Sequence, residues 1–352
     1  MKILITGIAG FTGSNLAQEL KNNFNNLQIF GLDNFSRKGS ELNIRKLNKI
    51  EVDLVRGDIR SSSDIDNLPQ VDWVIDCAAN PSVLAGVSHE TSSMQLMEHN
   101  LIGTINILEY CKKTKAGLVL ISTSRVYSAL ELANLPVNSL NNSFQLESCN
   151  TNGCTKKGIS ESFPTTSPIS LYGASKLASE QLILEYSYSF GFPIWINRCG
   201  VLAGAGQFGK ADQGVFSFWL HSFKEKQRLK YYGFGGTGYQ VRDAFHPFDL
   251  AQLVVQQVSN PNKDAPKILN LGGGIGNSIS LRNLSDWCEN RFGVNIVESS
   301  NEKRNLDAPW IVMDSSLAKK SWNWSPKIKV EEILDEIANH ADKNPNWLKI
   351  TN

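Results

Sequence analysis

The chain has 352 residues and a formal net charge of +1, with 41% hydrophobic and 20% charged residues. A nearly neutral chain has no overall field to attract nucleic acid or an anionic membrane surface, so we expect neither as a partner. No apolar run approaches the roughly 18 residues that a membrane-spanning helix needs. The six cysteines lack the spacing of zinc ligands, which predicts reduced thiols, a cytoplasmic location and no metal site.

The N-terminal segment alternates strand, glycine turn, helix, strand and acid. Residues 2–6 form an apolar run typical of a buried strand, and 13–22 continue with helical character. Gly7, Gly10 and Gly13 lie between them, at a spacing that lets the backbone approach a pyrophosphate at a helix N-terminus. Asp33 follows the next predicted strand, where a carboxylate can accept hydrogen bonds from an adenosine ribose. This order predicts a dinucleotide site.

The same alternation continues through the first half of the chain. Strands are predicted at 2–6, 27–32, 51–55, 72–77, 117–122 and 193–198, and helices at 13–22, 62–67, 94–113 and 173–190. This pattern predicts an α/β fold, a Rossmann-type doubly wound parallel sheet with a smaller C-terminal α/β substrate lobe. We assign 1–201 and 241–257 to the nucleotide-binding domain, 202–240 and 258–352 to the second lobe, and 128–170 to a long inserted loop that could act as a lid.

A tyrosine and a lysine mark the chemistry. Tyr172 and Lys176 are four residues apart at the start of a predicted helix, so they share one face. An ammonium beside a phenol favours the phenolate and lowers a pKa that is about 10 in isolation, which makes Tyr172 a candidate base. Hydroxyl residues end the strand predicted at 117–122, and one of them could bond the same substrate oxygen. The alternative is a chance pairing of Tyr and Lys on a surface helix.

In combination these residues resemble the extended short-chain dehydrogenase/reductase family, in the branch that modifies nucleotide sugars. The motifs that match are Gly7-x-x-Gly10-x-x-Gly13, Asp33, Gly57-Asp58-Ile59, Cys77-Ala78-Ala79, Asn100, Ser122-Thr123 with Val126-Tyr127, and Tyr172-x-x-x-Lys176. The resemblance implies that Thr123, Tyr172 and Lys176 are catalytic and that the cofactor is NAD, because Asp33 would repel the 2′-phosphate of NADP. It also implies cofactor contacts by Gly7, Gly10, Phe11, Thr12, Gly13, Asp33, Asn34, Ser36, Arg37, Asp58, Ile59, Ala78, Ala79, Asn100, Tyr172 and Lys176.

Motifs of the second half resemble one branch of that family, the CDP-paratose 2-epimerases. They are Gly206-Gln207-Phe208-Gly209, Asp212-Gln213-Gly214, Gln240-Val241-Arg242-Asp243 and Arg304-Asn305-Leu306-Asp307. The resemblance implies that Arg242 and Arg304 grip the diphosphate of a nucleotide sugar, for which a planar bidentate donor is well suited. A solvated surface charge is the alternative for each arginine. The expected substrate contacts are Asn80, Ser82, Thr123, Ser124, Gln207, Gln213, Gln240, Arg242 and Arg304.

The implied reaction is epimerisation by transient oxidation, at C2 of CDP-paratose, giving CDP-tyvelose for a surface polysaccharide. An NDP-hexose 4-epimerase is the nearest rival, but Val201 stands where many sugar epimerases carry Asn, three positions after Arg198. Dehydratases of the family place Asp-Glu directly after the catalytic Thr, where this chain has Ser124-Arg125. A net reductase remains open, and so does a non-catalytic NAD-binding sensor.

The apolar helices of the first lobe bear on assembly. Helices 94–113 and 173–190 carry more apolar residues than one sheet face requires. In the family the equivalent helices form a dimer interface, so the resemblance implies a homodimer or a homotetramer. The alternative is that both helices are simply buried in the monomer core.

Overall fold

A computed structural model describes residues 1–87, 92–210, 213–262, 264–302 and 307–352. The strands are β1 (Lys2–Thr6), β2 (Gln28–Asp33), β3 (Val52–Arg56), β4 (Trp73–Asp76), β5 (Gly117–Thr123), β6 (Val137–Leu140), β7 (Ser143–Leu146), β8 (Cys154–Thr155), β9 (Gly158–Ile159), β10 (Ile194–Cys199), β11 (Val201–Leu202), β12 (Leu229–Tyr231), β13 (Val241–Phe245), β14 (Ile268–Leu271), β15 (Ser278–Ser280), β16 (Val297–Ser299) and β17 (Trp310–Ile311). The α-helices are α1 (Phe11–Asn23), α2 (Ile44–Lys49), α3 (Ser62–Asp66), α4 (Ser93–Met97), α5 (Gly103–Thr114), α6 (Ala129–Ala133), α7 (Leu171–Phe190), α8 (Val215–Lys224), α9 (Pro247–Ser259), α10 (Leu281–Phe292), α11 (Ser316–Trp322), α12 (Val330–Lys343) and α13 (Trp347–Thr351).

The main sheet is parallel throughout, and seven of the described strands form it in the order β14-β10-β5-β4-β1-β2-β3. Strand order reverses between β1 and β4, the place where open α/β sheets bind ligands beyond their carboxyl ends. The Rossmann-type α/β fold is therefore confirmed. The six predicted strands each end within one residue of the observed bounds.

Helices cover both faces of this sheet. On one face Leu16 of α1 and Leu250 of α9 pack in one buried cluster with Ile3 and Ile5. On the other face Leu4 packs with residues of α5 and α7, including Ile107 and Ile183. Because both faces are buried, the strands are nearly continuous apolar runs, which made them easy to predict. No described helix has the length and apolar character to cross a membrane.

The strands of the second half do not follow the predicted division in two places. β14 joins the main sheet, where Ile196–Cys199 pairs with Ile268–Leu271, although 258–352 was assigned to the second lobe. β13 pairs with β11, β15 and β17 in a smaller sheet, although 241–257 was assigned to the first. Within 241–257, α9 does pack against the main sheet. A short apolar strand can join either sheet, so its partner is decided by tertiary packing rather than by its own sequence.

The inserted segment 128–170 holds more regular structure than its composition predicts. It contains helix α6, the antiparallel pair β6–β7 and the short pair β8–β9. These strands were missed because they are short, and Val137–Leu140 is mostly exposed and polar. Backbone bonds fasten the segment to the second half: Ile159 donates to Val312 at 2.8 Å, and Phe144 donates to Tyr239 at 2.9 Å.

Candidate active site

The glycine turn between β1 and α1 lies at the point where the strand order reverses. Gly7 has a φ of 61°, and a Cβ at this position would lie 2.9 Å from the Cα of Ala78, just beyond β4. A Cβ at Gly13 would lie 2.4 Å from the carbonyl oxygen of Gly7. Helix α1 begins after Gly10, which has no side chain to bond the free N–H groups of the first turn. The turn therefore presents these N–H groups to an anion.

Other residues of the predicted cofactor set lie around this helix start. Phe11 and Thr12 open α1, and both are partly buried. The ring of Phe11 faces Gly204, where an added Cβ would lie 3.3 Å from its Cζ. Phe11 thus stands at the junction between the glycine turn and the segment that follows β11.

The acid at the end of β2 is held firmly by backbone donors. The Asp33 carboxylate accepts the N–H of Ala9 at 2.9 Å and the N–H of Phe35 at 2.8 Å. Burial raises the pKa of Asp33, while these two hydrogen bonds lower it. The carboxylate is thereby fixed beside the glycine turn, where the sequence predicts an adenosine ribose.

A second acid lies next to Asp33 at the sheet edge. Asp58 accepts a hydrogen bond from Asn34 at 2.9 Å and forms an ion pair with Arg60 at 2.7 Å. The Arg60 hydrogen bond, opposed by partial burial, holds the pKa of the Asp58 carboxyl well below its usual range. The N–H of Ser36 donates to the Asn34 side chain at 2.9 Å. The predicted residues Asn34, Ser36 and Asp58 thus form one cluster.

Arg37 and Ile59 have partners elsewhere. The Arg37 guanidinium donates to the carbonyl of Phe208 at 3.2 Å and lies 5.8 Å from the centre of its ring. Ile59 is buried against Gly103 at the start of α5. The sequence did not indicate which neighbours these two side chains would contact. Arg37 reaches the second half of the chain, a contact that the sequence analysis missed.

The loop after β4 is tied to α7 through Asn100. Asn100 lies in a π-helical turn, Glu98–Ile102, between α4 and α5. Its amide accepts the N–H of Asn80 at 2.8 Å and donates to the carbonyl of Asn80 and the hydroxyl of Ser175, both at 3.1 Å. Ser82 is bonded locally, its N–H donating to Asn80 at 3.3 Å. Asn100 thus positions the loop of Ala79, Asn80 and Ser82 beside the helix of Tyr172.

Thr123 and Tyr172 come together at the carboxyl end of β5. Helix α7 begins after Ser170, whose hydroxyl accepts the N–H of Gly173 at 3.0 Å. A Cβ at Gly173 would lie 2.1 Å from the carbonyl oxygen of Arg125, so only glycine permits this close approach. The approach brings the Tyr172 hydroxyl close enough to the Thr123 side chain for that side chain to lower the pKa of the phenol. Ser124, the next residue, is buried.

The pKa of Tyr172 departs from the expected direction. Burial raises it to about 12, and the Thr123 hydrogen bond and the charge of Arg125 only partly oppose this. The prediction that the Lys176 ammonium lowers this pKa is wrong for the protein alone. Helical spacing places the two residues on one face, but it does not include the cost of burying a phenolate.

Lys176 is a buried cation with unused hydrogen-bonding capacity. Its side chain is 2% exposed, and within the described residues its ammonium makes no hydrogen bond and no ion pair. Burial lowers the pKa of Lys176, and the charges of Asp76 and Glu180 raise it. Three N–H donors are therefore available to a ligand at the carboxyl ends of β4 and β5.

The predicted substrate residues of the second half lie on and around β13. Arg242 forms an ion pair with Asp307 at 3.0 Å and donates to the carbonyl of Ala308, also at 3.0 Å. Gln240 donates to the carbonyl of Tyr232 at 2.6 Å. The side-chain oxygen of Gln240 is buried with no partner in the described part of the chain, which leaves an acceptor for a ligand.

Three other predicted residues are less informative. Gln207 donates to the carbonyl of Leu202 at 2.7 Å, and its buried oxygen likewise has no partner among the described residues. Gln213 pairs with Lys210 through the backbone at 2.7 Å. Arg304 lies outside the described residues, as does Asp212 of the same motif group.

Sequence reasoning missed one residue at this site. Arg125 directly follows Ser124, and the charges of Arg242, Asp307 and Tyr172 act on it. Burial, followed by the like charge of Arg242, lowers the pKa of Arg125 to about 10. Its place two positions after Thr123 was visible in the sequence, but it served only as evidence against a dehydratase.

The chain matches a known family over most of its length. Residues 3–272 match the Epimerase family, described as the NAD dependent epimerase/dehydratase family. The chain belongs to this family. As a family member it is an enzyme, an isomerase of the carbohydrate-epimerase class, and its cofactor is NAD.

Members and structures of this family resemble the chain from end to end. The chain is 29% identical to the CDP-paratose 2-epimerase of Salmonella typhi over 347 residues, 96% of this chain and 98% of that protein. It is 27% identical to a putative UDP-glucose 4-epimerase of Methanocaldococcus jannaschii, with 99% of both covered. The crystal structure of UDP-glucuronic acid 4-epimerase from Bacillus cereus, in complex with UDP-glucuronic acid and NAD, gives a TM-score of 0.78 at 24% identity and covers 97% of this chain and 99% of that one. That structure shares the fold.

The residues present fit the NAD of this family. The glycine turn packs too closely against Ala78 to allow a Cβ at Gly7, and the N-terminus of α1 presents N–H groups that no side chain caps. Asp33 is fixed beside the glycine turn, where its carboxylate could accept hydrogen bonds from an adenosine ribose. The buried Lys176 ammonium makes no hydrogen bond within the described residues and could donate to the cofactor. A small cofactor in this cleft would supply the missing partners of Lys176.

Proposed function

We propose that the protein epimerises a nucleotide sugar, with Tyr172 as the acid–base residue and Thr123 as its partner. The observation that carries the proposal is the approach of these two side chains at the carboxyl end of β5, near the buried ammonium of Lys176, which makes no hydrogen bond within the described residues. When bound, NAD supplies a reversible hydride acceptor. A sugar hydroxyl placed between Thr123 and Tyr172 would meet a base and a hydrogen-bonding partner at once.

One side chain transfers the proton, and the others bind the ligands. As the phenolate, the Tyr172 oxygen takes the proton of the sugar hydroxyl, becomes the neutral phenol, and returns the proton after the carbon has been inverted. The Thr123 hydroxyl holds the same oxygen in place, and the Lys176 ammonium bonds the ribose next to the nicotinamide. Because burial raises the pKa of Tyr172 to about 12 in the protein alone, we propose that the bound ligands bring it toward neutrality.

The second half of the chain supports a diphosphate-linked substrate. Arg242 lies on β13, and the side-chain oxygens of Gln207 and Gln240, which have no partner within the described residues, could accept hydrogen bonds from ribose or sugar hydroxyls. An arginine fork matches the geometry of a phosphate. We propose that Arg242, together with Arg304, holds the diphosphate, and that Asn80, Ser82, Ser124 and Gln213 line the sugar site.

We propose CDP-paratose as the substrate and C2 as the inverted carbon. Support comes from the similarity to the Salmonella typhi CDP-paratose 2-epimerase over 96% of this chain. A 4-epimerase of an NDP-hexose is the second candidate, favoured by the similarity to the putative UDP-glucose 4-epimerase. Val201 counts against it, since the family's amide contact is absent at that position.

The test is a stereochemical assay without added cofactor. Purified protein is incubated with CDP-paratose and, separately, with UDP-hexoses, and the sugar ring is followed by NMR. We expect inversion at C2 of CDP-paratose alone. Inversion at C4 of UDP-hexoses alone would replace this substrate with that of a 4-epimerase. NAD binding without turnover of any nucleotide sugar would indicate a sensor, and stoichiometric loss of added NADH would indicate a reductase.

A further inference from the structure

Arg125 lies two residues after Thr123, and the charge of Arg242, which belongs to the predicted diphosphate site, acts on it. It lies in the 3-10 turn Ser124–Val126 that directly follows β5. Its N–H donates to the Thr123 side chain at 3.2 Å, and its carbonyl faces Gly173 at the start of α7. The backbone of Arg125 is therefore fixed on both sides by the elements that hold Thr123 and Tyr172.

The side chain of Arg125 faces charged groups but bonds to none. It is partly buried, and within the described residues its guanidinium makes no hydrogen bond and no ion pair. The groups whose charges act on it are Arg242 on β13, Asp307 next to β17, and Tyr172 on α7. A guanidinium with five N–H donors is costly to leave without acceptors in such a place.

The carboxylate of Asp307 bonds Arg242 and is not available to Arg125. Asp307 is already committed to Arg242 at 3.0 Å, and it also accepts the N–H of Ala308 at 2.9 Å. Arg125 and Arg242 carry like charges and repel each other, and within the described residues Arg125 makes no bond to this carboxylate. An anion in contact with both guanidinium groups would remove this repulsion. The diphosphate of a nucleotide sugar carries two negative charges and would do so.

We propose that Arg125 binds the sugar-linked phosphate of the substrate, between the reacting carbon at Tyr172 and the phosphate held by Arg242. This inference rests on the proposed function, because it takes a nucleotide sugar as the ligand. Arg125 is then a specificity residue: it recognises the second phosphate of a nucleoside diphosphate. Nucleoside monophosphates lack that group.

The experiment compares nucleotide affinities, which do not depend on turnover. Isothermal calorimetry measures binding of CDP, CMP, UDP and UMP to the NAD-loaded protein, using the base that binds more tightly. In Arg125→Met, diphosphate affinity should fall about 10- to 100-fold while monophosphate affinity stays within about twofold, because only a charge-assisted bond to the second phosphate is lost. Arg125→Lys should fall between the two, since it keeps the charge but not the fork.

Arg228→Met is the matched control, because it removes the same charge from an exposed side chain that pairs with Glu298 at 3.6 Å. It should leave all four affinities unchanged. Equal losses for diphosphate and monophosphate in Arg125→Met would overturn the proposal, as would no loss for either. If the wild type binds these diphosphates and the proposal holds, absence of epimerisation in the stereochemical assay would refute the proposed reaction but not this site.

Discussion

Among single residues, Tyr172 is the one on which the proposed reaction depends, through its phenol. Tyr172→Phe removes the group that exchanges the substrate proton and leaves the ring in place. General acid–base catalysis contributes about 100- to 10,000-fold, so turnover should fall by at least that order. Bound NAD, measured after denaturing the protein, should stay at the wild-type amount. Near-wild-type turnover in this variant would remove Tyr172 from the mechanism.

The raised pKa of Tyr172 gives a second prediction at this scale. In protein stripped of NAD, burial holds this pKa at about 12, so the phenol should stay protonated at neutral pH. Ultraviolet titration of wild type minus Tyr172→Phe should then show no phenolate signal below about pH 10. A difference signal already at neutral pH would mean that Lys176 lowers this pKa without help from a ligand.

The places of the site residues in the fold were easier to predict than the neighbours that their side chains contact. Thr123 and Tyr172 come close together as their motifs imply, because parallel strands end and helices begin at one edge of the sheet. The direction of Arg37 toward Phe208 and the sign of the Tyr172 pKa shift were not predictable. Both depend on neighbours that are distant in sequence, at Phe208 and in the burial of the whole cleft.

At the level of helices and strands, a buried ion pair joins β10 to α7, the helix that contains Tyr172. Arg198 bonds Glu180 at 2.6 Å, both side chains are almost fully buried, and Ser122 of β5 donates to Glu180 at 2.5 Å. Glu180→Gln leaves the guanidinium without its counter-charge and should lower the free energy of unfolding by about 3 kcal/mol, measured in urea. The double variant Glu180→Leu, Arg198→Met should lose less than that, because no charge stays buried. A larger loss in the double variant would contradict this account.

The stability of the packing between α8 and the C-terminal helices α12 and α13 should depend on pH. His221 of α8 is 1% exposed and faces His340 of α12 and Trp347 of α13. Burial lowers its pKa from 6.5 to about 4. The folded state therefore resists protonation, so the related stability is present above pH 6.5 and is lost as the pH falls toward 4, on the order of 3 kcal/mol. His221→Phe should flatten this acid slope in thermal unfolding, and an unchanged slope would assign it to another group.

Strands were predicted correctly where both faces of the sheet are buried. The strands of the main sheet read as apolar runs because helices cover both faces, whereas β6 and β7 are short and partly exposed and were missed. β13 and β14 were recognisable neither by pattern nor by propensity as members of different sheets. Their neighbours are distant in sequence: Asn270 of β14, for example, lies opposite Arg198 of β10.

At the scale of the whole molecule, assembly through α5 and α7 is a prediction. Ile102, just before α5, is 43% exposed, and Tyr188 near the end of α7 is 90% exposed. Burying such side chains between two copies would be favourable. Light scattering should show a dimer or tetramer, and Ile102→Glu should shift it toward the monomer with the fold retained by circular dichroism. A monomeric wild type would place these helices in the monomer alone.

The central claim is that the sugar is oxidised and then reduced at one carbon within a closed site. It is tested most directly by epimerising CDP-paratose in deuterium oxide, with a parallel sample that carries deuterium at C2. The account predicts that unlabelled substrate gains no deuterium at the inverted carbon and that labelled substrate keeps its label, because the hydrogen returns without meeting water. Solvent deuterium at that carbon would mean inversion by proton removal from carbon and would contradict the account.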